Sequence, residues 1–244
     1  MKRFWPYICV ALILAGLMAI GLFAGRFVVY MSMRVLILSI FALGYNLLLG
    51  RTGLLSFGHA AFYAGGAYGL GLLSIHVTTN TLLGIMAGMG LACIMALVIG
   101  FFCVRHTEIY FAMLTLAFGM MVFSLIWNLR EVTGGDDGLV GIVRAPISLG
   151  IATFSISETS HYYFFVLFCF LLTVVLVYLI RKSPFGLVLS GIRENDRRVE
   201  FAGLSVRNYR LAAFVISGSF AGLAGALGAL LESYTNPFSA PVSY

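Results

Sequence analysis

The chain has 244 residues, of which 61% are hydrophobic and 10% are charged. A water-soluble domain of this length has too little interior to bury so many apolar side chains, so the composition excludes a soluble globular protein and indicates one that is solvated by lipid. The formal net charge is +6. In a membrane protein such an excess of Lys and Arg first indicates orientation across the bilayer, and not binding to nucleic acid.

Two apolar runs open the chain. The first, residues 4–24, is about 20 residues long, which exceeds the usual signal-peptide core, so we expect a retained span. The second begins at Phe27 and contains Arg34, which would have to pair or reach the interface if the span began there. We expect this span to begin at Val35, with residues 26–34 as a short surface stretch.

Five further spans are expected, at residues 53–75, 81–103, 108–129, 161–180 and 211–231. The spacing Gly84-x-x-x-Gly88 and Gly218-x-x-x-Gly222 favours close packing between helices. The sequence therefore predicts an all-α integral membrane protein. We expect a polytopic helical bundle of about seven transmembrane helices that forms a single transmembrane domain over residues 1–244.

The third span is rich in glycine and carries polar residues on one face. Ser56, His59 and Tyr63 are spaced i, i+3, i+7, so this face should point into the protein. Together with Tyr110 and Thr115 of the fifth span, these residues are candidates for lining a translocation path. Hydrogen bonds between helices explain the same pattern equally well.

Between the fifth and sixth spans lies a long polar stretch, residues 130–160, that we interpret as a loop on the outer side. It contains a turn-rich cluster: Gly134, Gly135, Asp136, Asp137 and Gly138. The Asp–Asp–Gly run lacks the spacing of an EF-hand, and the four cysteines have no metal-binding spacing. We therefore expect no metal site.

The most charge-dense stretch is residues 183–210. Ser183 and Pro184 are typical of a helix start, and Gly203 of a helix end. We expect one amphipathic helix between them, with an i,i+4 pair from Glu194 to Arg198. Its apolar face would carry Val188, Ile192, Asn195, Val199 and Ala202. Such a helix would lie on the bilayer surface or in a groove of a partner.

The distribution of basic residues predicts the orientation. With the N-terminus inside, the inner positions collect Lys2, Arg3, Arg51, Arg105, Arg181, Lys182, Arg193, Arg197, Arg198, Arg207 and Arg210. With Arg34 set aside, the outer positions collect Arg26, Arg130 and Arg144. This bias places the N-terminus and residues 183–210 in the cytoplasm.

Three stretches together resemble the ABC permeases for branched-chain amino acids. They are SPFGLVLSGIREN (183–195), GLLSFGHAAFYAGGAY (53–68) and the pair YFAMLTLAF (110–118) and TGGDDGL (133–139). In that family the first stretch docks into a groove on a separate ATPase subunit. The resemblance thus implies a cytoplasmic coupling segment at 183–210, with these coupling residues: Ser183, Pro184, Phe185, Gly186, Ile192, Arg193, Glu194, Asn195 and Gly203.

The resemblance further implies partners: ATPase subunits, a second homologous permease and an extracytoplasmic substrate-binding protein, which the cluster 134–138 is expected to meet. The location would be the bacterial inner membrane. Family members usually carry further spans after the equivalent of residues 237–239, so we expect a chain that is short at its C-terminus.

The sequence limits the chemistry of this chain. Its two lysines, Lys2 and Lys182, do not follow a phosphate-binding loop pattern, so we expect no cofactor and no enzymatic activity here, with ATP on the partner. The predicted spans contain no Asp or Glu in their interiors, which argues against an ion-coupled carrier. A urea or short-amide permease of the same family stays open, as does an ATP-independent channel or carrier.

Overall fold

The computed structural model describes residues 5–77, 80–106, 108–142, 147–148, 153–154 and 158–236, without the side chains of residues 5–12, 108, 147–148 and 153–154. Lys2, Arg3, Arg144 and residues 237–239, which entered the sequence arguments, lie outside this description.

The described residues are almost entirely helical. The helices are α1 (Trp5–Phe23), α2 (Arg26–Thr52), α3 (His59–His76), α4 (Thr81–Cys103), α5 (Glu108–Asn128), α6 (Arg130–Thr133), α7 (Thr159–Lys182), α8 (Pro184–Glu194), α9 (Asp196–Phe201) and α10 (Val206–Glu232). Short antiparallel pairs join β1 (Leu139–Val140) to β4 (Tyr234–Thr235) and β2 (Ile147–Ser148) to β3 (Thr153–Phe154).

Five of these helices are long and apolar enough to cross a membrane: α2, α4, α5 from Ile109 onward, α7 and α10. The part of α1 whose side chains are described, Ile13–Phe23, is apolar but shorter. The all-helical membrane class is therefore confirmed. The count of about seven spans stays a prediction, which requires that α1 and α3 cross the membrane in addition to these five helices.

Helix α10 forms the centre of the bundle and packs against α2, α3 and α4. Of its most apolar stretch 78% is buried, against 28–33% in the other four candidate spans. Glycines allow this packing, because a Cβ on Gly88 of α4 would overlap the carbonyl oxygen of Gly66 and one on Gly222 of α10 would overlap Ala92. The packing role predicted for Gly88 and Gly222 is confirmed.

Residue contacts give the relative directions of the helices. His59 and Gly66 of α3 meet Ser217 and Gly222 of α10 in the same order, so these two helices run parallel. Helix α2 runs antiparallel to α10, since Gly44 bonds Ser217 whereas the earlier Arg34 pairs with Glu232. The bundle thus has two ends, one formed by α8 and α9 and the other by the β1–β4 pair.

Helix α2 corrects one expectation. It is continuous from Arg26 to Thr52, so residues 26–34 are its first turns and not a separate surface stretch. Arg34 lies within the helix, and its guanidinium is 3.8 Å from the carboxylate of Glu232 at the end of α10. Pairing with an acidic side chain at the rim lets an arginine be accommodated within an apolar helix.

Helix α3 begins later than expected. Helix α2 ends at Gly53, whose positive φ of 74° suits a residue without a side chain, and residues 53–58 are not helical. Ser56 therefore precedes α3 instead of lying on it. Ser56, His59 and Tyr63 are all buried nonetheless, which confirms that they point into the protein.

Candidate functional site

The first part of the candidate coupling segment is α8. Ser183 caps it, because the Ser183 hydroxyl accepts a hydrogen bond from the Gly186 N–H at 3.3 Å, and Pro184 occupies its first turn. Gly186 lies tightly against the end of α7, where a Cβ would overlap the Ile180 carbonyl oxygen. Leu189 and Ile192 are buried against the bundle. The predicted helix start is thus confirmed.

The prediction of one helix up to Gly203 is wrong. Asn195 takes an extended conformation, ends α8 and caps α9 by accepting from the Arg198 N–H at 3.0 Å. Glu194 and Arg198 consequently lie on different helices, and the ion pairs among the described residues do not include them. Asn195 and Ala202 are exposed and not part of an apolar face, whereas the turn at Gly203 has the expected positive φ of 83°.

Two arginines attach α8 to the end of α2. Arg51 of α2 donates to the Ser190 hydroxyl at 2.8 Å, and Arg193 of α8 donates to the Gly50 carbonyl at 2.7 Å. The second bond places a cation at the C-terminal end of α2, where helix carbonyls carry partial negative charge. Helix α8 is thus fixed to α2 by two hydrogen bonds.

Helix α9 is attached to α10. The carboxylate of Asp196 accepts from the guanidinium of Arg210 at 3.2 Å, with the arginine side chain 11% exposed and the aspartate 43% exposed. Phe185 at the start of α8 also stacks on Tyr209 of α10, with ring centroids 5.7 Å apart. The two short helices are thus fixed to the central helix as well as to α2.

The outer face of α8 and α9 carries two strongly exposed apolar side chains. Leu187 is 75% exposed and Phe201 is 92% exposed. The charged side chains around them are exposed too, namely Arg193, Glu194, Arg197, Arg198 and Glu200. We call this combination of apolar and charged side chains the α8–α9 surface. Apolar side chains that protrude within a polar rim are typical of a protein-binding surface.

A second group of candidate residues meets deep in the bundle. The Ser217 hydroxyl donates to the Gly44 carbonyl at 2.6 Å and lies 2.8 Å from Nε2 of His59, whose Nδ1 is 3.3 Å from the Ser56 hydroxyl. Because the single Ser217 proton goes to Gly44, Nε2 of His59 must be the protonated nitrogen that donates to Ser217. The cluster thus links α2, α3 and α10.

Aromatic rings enclose this cluster. The rings of Phe41, Tyr45, Phe62 and Phe214 approach His59 edge-on, with centroids 5.1 to 6.0 Å away. His59 and Ser56 therefore have their hydrogen bonds satisfied within the protein. This arrangement favours the alternative of a hydrogen bond between helices for His59, whereas Ser56 bonds locally to His59.

The other three candidates for the path lie apart. Tyr63 is buried beside Gly225 and Gly228 of α10. The Thr115 hydroxyl of α5 accepts from the Phe57 N–H at 3.2 Å, so it supports the non-helical segment 53–58. Tyr110 is 75% exposed on α5 and does not join the cluster.

The cluster 134–138 forms a tight turn at the opposite end of the bundle. Gly134, Gly135 and Gly138 have positive φ angles, and Asp136 and Asp137 are exposed. The β1–β4 pair fixes this turn to the end of α10. The turn prediction is confirmed, and both carboxylates face outward.

Some bonds of these sites were not predicted from the sequence. Ser190 and Ser217 were not candidates, and Arg51 and Arg210 were considered only for the orientation of the chain. Arg51 and Ser190 are 139 residues apart, and Ser217 and Gly44 are 173 residues apart. A polar residue within an apolar run is the signal that could have found Ser217.

Known permease proteins are similar in sequence to this chain. A family model described as branched-chain amino acid transport system / permease component matches residues 27–243. The high-affinity branched-chain amino acid transport system permease protein LivM of Escherichia coli is 33% identical over 82% of this chain, and that of Salmonella typhimurium is 32% identical over 82%. The putative glucose ABC transporter permease protein TsgC13 of Haloferax volcanii is 31% identical over 72%. No solved structure matches.

An all-helical bundle with five helices long and apolar enough to cross a membrane, among the described residues, defines the class of multi-pass membrane proteins. This chain belongs to the branched-chain amino acid permease family of ABC transporters. It spans about half the length of its relatives, 52% of either LivM protein and 54% of TsgC13.

Proposed function

We propose that this chain is the membrane-spanning permease subunit of an ABC importer, driven by ATP hydrolysis on a separate subunit. The observation that carries the proposal is the α8–α9 surface, which is attached to α2 and α10 and exposes Leu187 and Phe201. An ATPase that closes on ATP would push on this surface. The bonds to α2 and α10 would pass the motion into the bundle.

For the solute we propose branched-chain or related amino acids. The similarity to LivM, which extends over 82% of this chain, supports this class. The guanosine ABC transporter permease protein NupP of Bacillus subtilis matches over only 31% of the chain. A zwitterion needs no fixed charge in the path, because helix ends and hydroxyls can neutralise its carboxylate and ammonium groups. Tyr63 and Thr115 remain our candidates for such contacts, and Tyr110 would contribute from α5.

The proposed assembly contains two ATPase subunits, a second homologous permease and an extracytoplasmic substrate-binding protein. The exposed turn 134–138 would meet the binding protein, since it lies at the end of the bundle opposite the α8–α9 surface. We place the protein in the bacterial inner membrane with its N-terminus in the cytoplasm and with α1 and α3 as additional spans. The excess of basic residues at the α8–α9 end supports this orientation.

Uptake into proteoliposomes that contain the complete complex tests the proposal. We expect leucine uptake that requires ATP and the binding protein. Uptake of urea but not leucine would support the short-amide alternative. Solute flux without ATP would indicate a channel or an ATP-independent carrier and would contradict the proposal.

A pair of matched variants tests the role of the α8–α9 surface. Arg193→Gln removes the bond to the Gly50 carbonyl, whereas Arg197→Gln changes an exposed arginine whose side chain makes no hydrogen bond or ion pair among the described residues. We expect Arg193→Gln to lower the number of solutes transported per ATP hydrolysed. Arg197→Gln should leave this ratio nearer to that of the unchanged protein. Equal ratios in the two variants would mean that the bond from Arg193 to α2 does not contribute to coupling.

A further inference from the structure

We propose a separate site, for the headgroup of an anionic phospholipid, where the end of α4 meets the start of α10. Two guanidinium groups stack on one aromatic ring there. The Cζ atoms of Arg105 and Arg207 lie 5.0 Å and 4.9 Å from the centroid of Phe101. Arg105 follows α4 and Arg207 belongs to the first turn of α10, so one ring is contacted by cations from the ends of two helices.

No acidic group among the described side chains forms an ion pair with these two cations. The side chains of Arg105 and Arg207 are both exposed. A guanidinium that stacks on a ring keeps the N–H groups at its edge free to donate. The two arginines thus offer several donors to an anion, and phosphate oxygens match this fork geometry.

The surface next to these cations is apolar. Phe101 is 43% exposed, and Phe102, Leu97 and Val98 are exposed on the same last turns of α4. Helix α4 is one of the candidate membrane spans. Exposed apolar side chains next to two cations are typical of the boundary between the hydrocarbon core and the headgroup region of a bilayer.

An anionic phospholipid supplies both halves of this arrangement. Its phosphate would bind the guanidinium edges of Arg105 and Arg207, and its acyl chains would cover Phe101 and Phe102. An acidic patch on a soluble partner could bind the arginines but could not cover the apolar turns of a span. The combination of charge and apolar surface therefore favours a lipid, in keeping with basic pockets between spans that bind anionic headgroups.

The test uses the 244-residue chain in phosphatidylcholine vesicles that contain a small fraction of spin-labelled phosphatidylglycerol or spin-labelled phosphatidylcholine. Electron paramagnetic resonance gives the fraction of each lipid immobilised by the protein. We compare the unchanged chain with the double variant Arg105→Gln/Arg207→Gln. The control Arg26→Gln/Arg130→Gln removes two exposed arginines at the other end of the bundle. Phe101→Leu keeps both charges and an apolar surface but removes the ring.

We expect the unchanged chain to prefer phosphatidylglycerol, and this preference to fall by about fivefold for each arginine removed from the site. Phe101→Leu should give an intermediate loss, because the guanidinium groups are then no longer held by one ring. The control should keep its preference. Equal immobilisation of the two lipids by the unchanged chain would overturn the proposal, as would an equal loss in the control. Retained lipid preference in the double variant would overturn it as well.

Discussion

Ser217 lies where α2, α3 and α10 meet, and its hydroxyl joins His59 to the Gly44 carbonyl. Ser217→Ala would leave two buried polar groups without this partner, which costs about 1–3 kcal/mol in comparable sites. We therefore expect a lower free energy of unfolding, seen as a lower midpoint of thermal unfolding in detergent.

Ser219 provides the matched control for this change. Among the described residues its hydroxyl bonds the Val215 carbonyl on the same helix, at 2.8 Å. Ser219→Ala should change the unfolding midpoint little. If the two variants unfolded at the same temperature, the buried cluster would not be a significant link between the helices.

The pair of Asp196 and Arg210 should respond asymmetrically to substitution. The arginine side chain is 11% exposed and the aspartate 43%. Asp196→Ala leaves a largely buried cation unpaired, whereas Arg210→Met leaves a carboxylate that water can reach. We expect Asp196→Ala to lower the unfolding midpoint more than Arg210→Met does. The reverse order would show that α9 is not fixed to α10 through this pair.

At the scale of single residues the sequence is informative where the signal is local. The cap at Ser183 and the turn at Gly134 depend on neighbouring residues, and both were predicted. The partner of His59 lies 158 residues away, and no spacing rule connects it to Ser217. The polarity of a residue within an apolar run therefore identified candidates, but it did not predict which residues would pair.

At the scale of helices, Gly88 is one of the glycines that let α4 pack closely against α3. A Cβ on Gly88 would overlap the carbonyl oxygen of Gly66, whereas one on Gly90 of the same helix would have nothing within 4 Å. We expect Gly88→Ala to destabilise the bundle by about 1–3 kcal/mol, as overpacking does. Gly90→Ala should be neutral or stabilising by up to about 1 kcal/mol through helix propensity.

Thermal unfolding of the two variants in the same detergent separates these effects. An unchanged midpoint in Gly88→Ala would mean that α3 and α4 do not approach as closely as described. A large loss in Gly90→Ala would place this residue in a contact that the described part of the chain does not contain.

Helix boundaries were predicted well where the length of an apolar run determines them. They were predicted poorly where a single side chain ends the helix. The fourth predicted span coincides with α4, Thr81–Cys103. The break at Asn195 was missed because an amide that caps a new helix competes with helix continuation, and periodicity does not register this. The β1–β4 pair was not anticipated either, since strands of two residues carry no alternation that a sequence could show.

At the scale of the whole molecule, the two ends of the bundle differ in charge. The α8–α9 end carries Arg51, Arg105, Arg181, Lys182, Arg193, Arg197, Arg198, Arg207 and Arg210, and the other end carries Arg26, Arg34 and Arg130. Such a bias predicts that the α8–α9 end is cytoplasmic. The sequence predicts the same orientation, because the charge bias depends only on the order of the spans.

Labelling of introduced cysteines tests this orientation, in a variant whose four native cysteines are replaced by serine. Phe201 and Asp136 are exposed at opposite ends of the bundle. A membrane-impermeant maleimide should label Phe201→Cys only in inside-out vesicles and Asp136→Cys only in spheroplasts. Labelling of both variants from the same side would contradict the arrangement of the helices, and the reverse pattern would invert the topology.

The central claim is that the α8–α9 surface docks on an ATPase, and co-purification from native membranes tests it most directly. The chain is isolated in mild detergent, and the bound subunits are identified by mass. We expect an ATPase and a second permease with the unchanged chain, and loss of the ATPase alone in the double variant Leu187→Asp/Phe201→Asp, which alters only exposed side chains. Recovery of the chain without an ATPase, where other ABC complexes remain intact, or full ATPase binding by the double variant, would contradict the account.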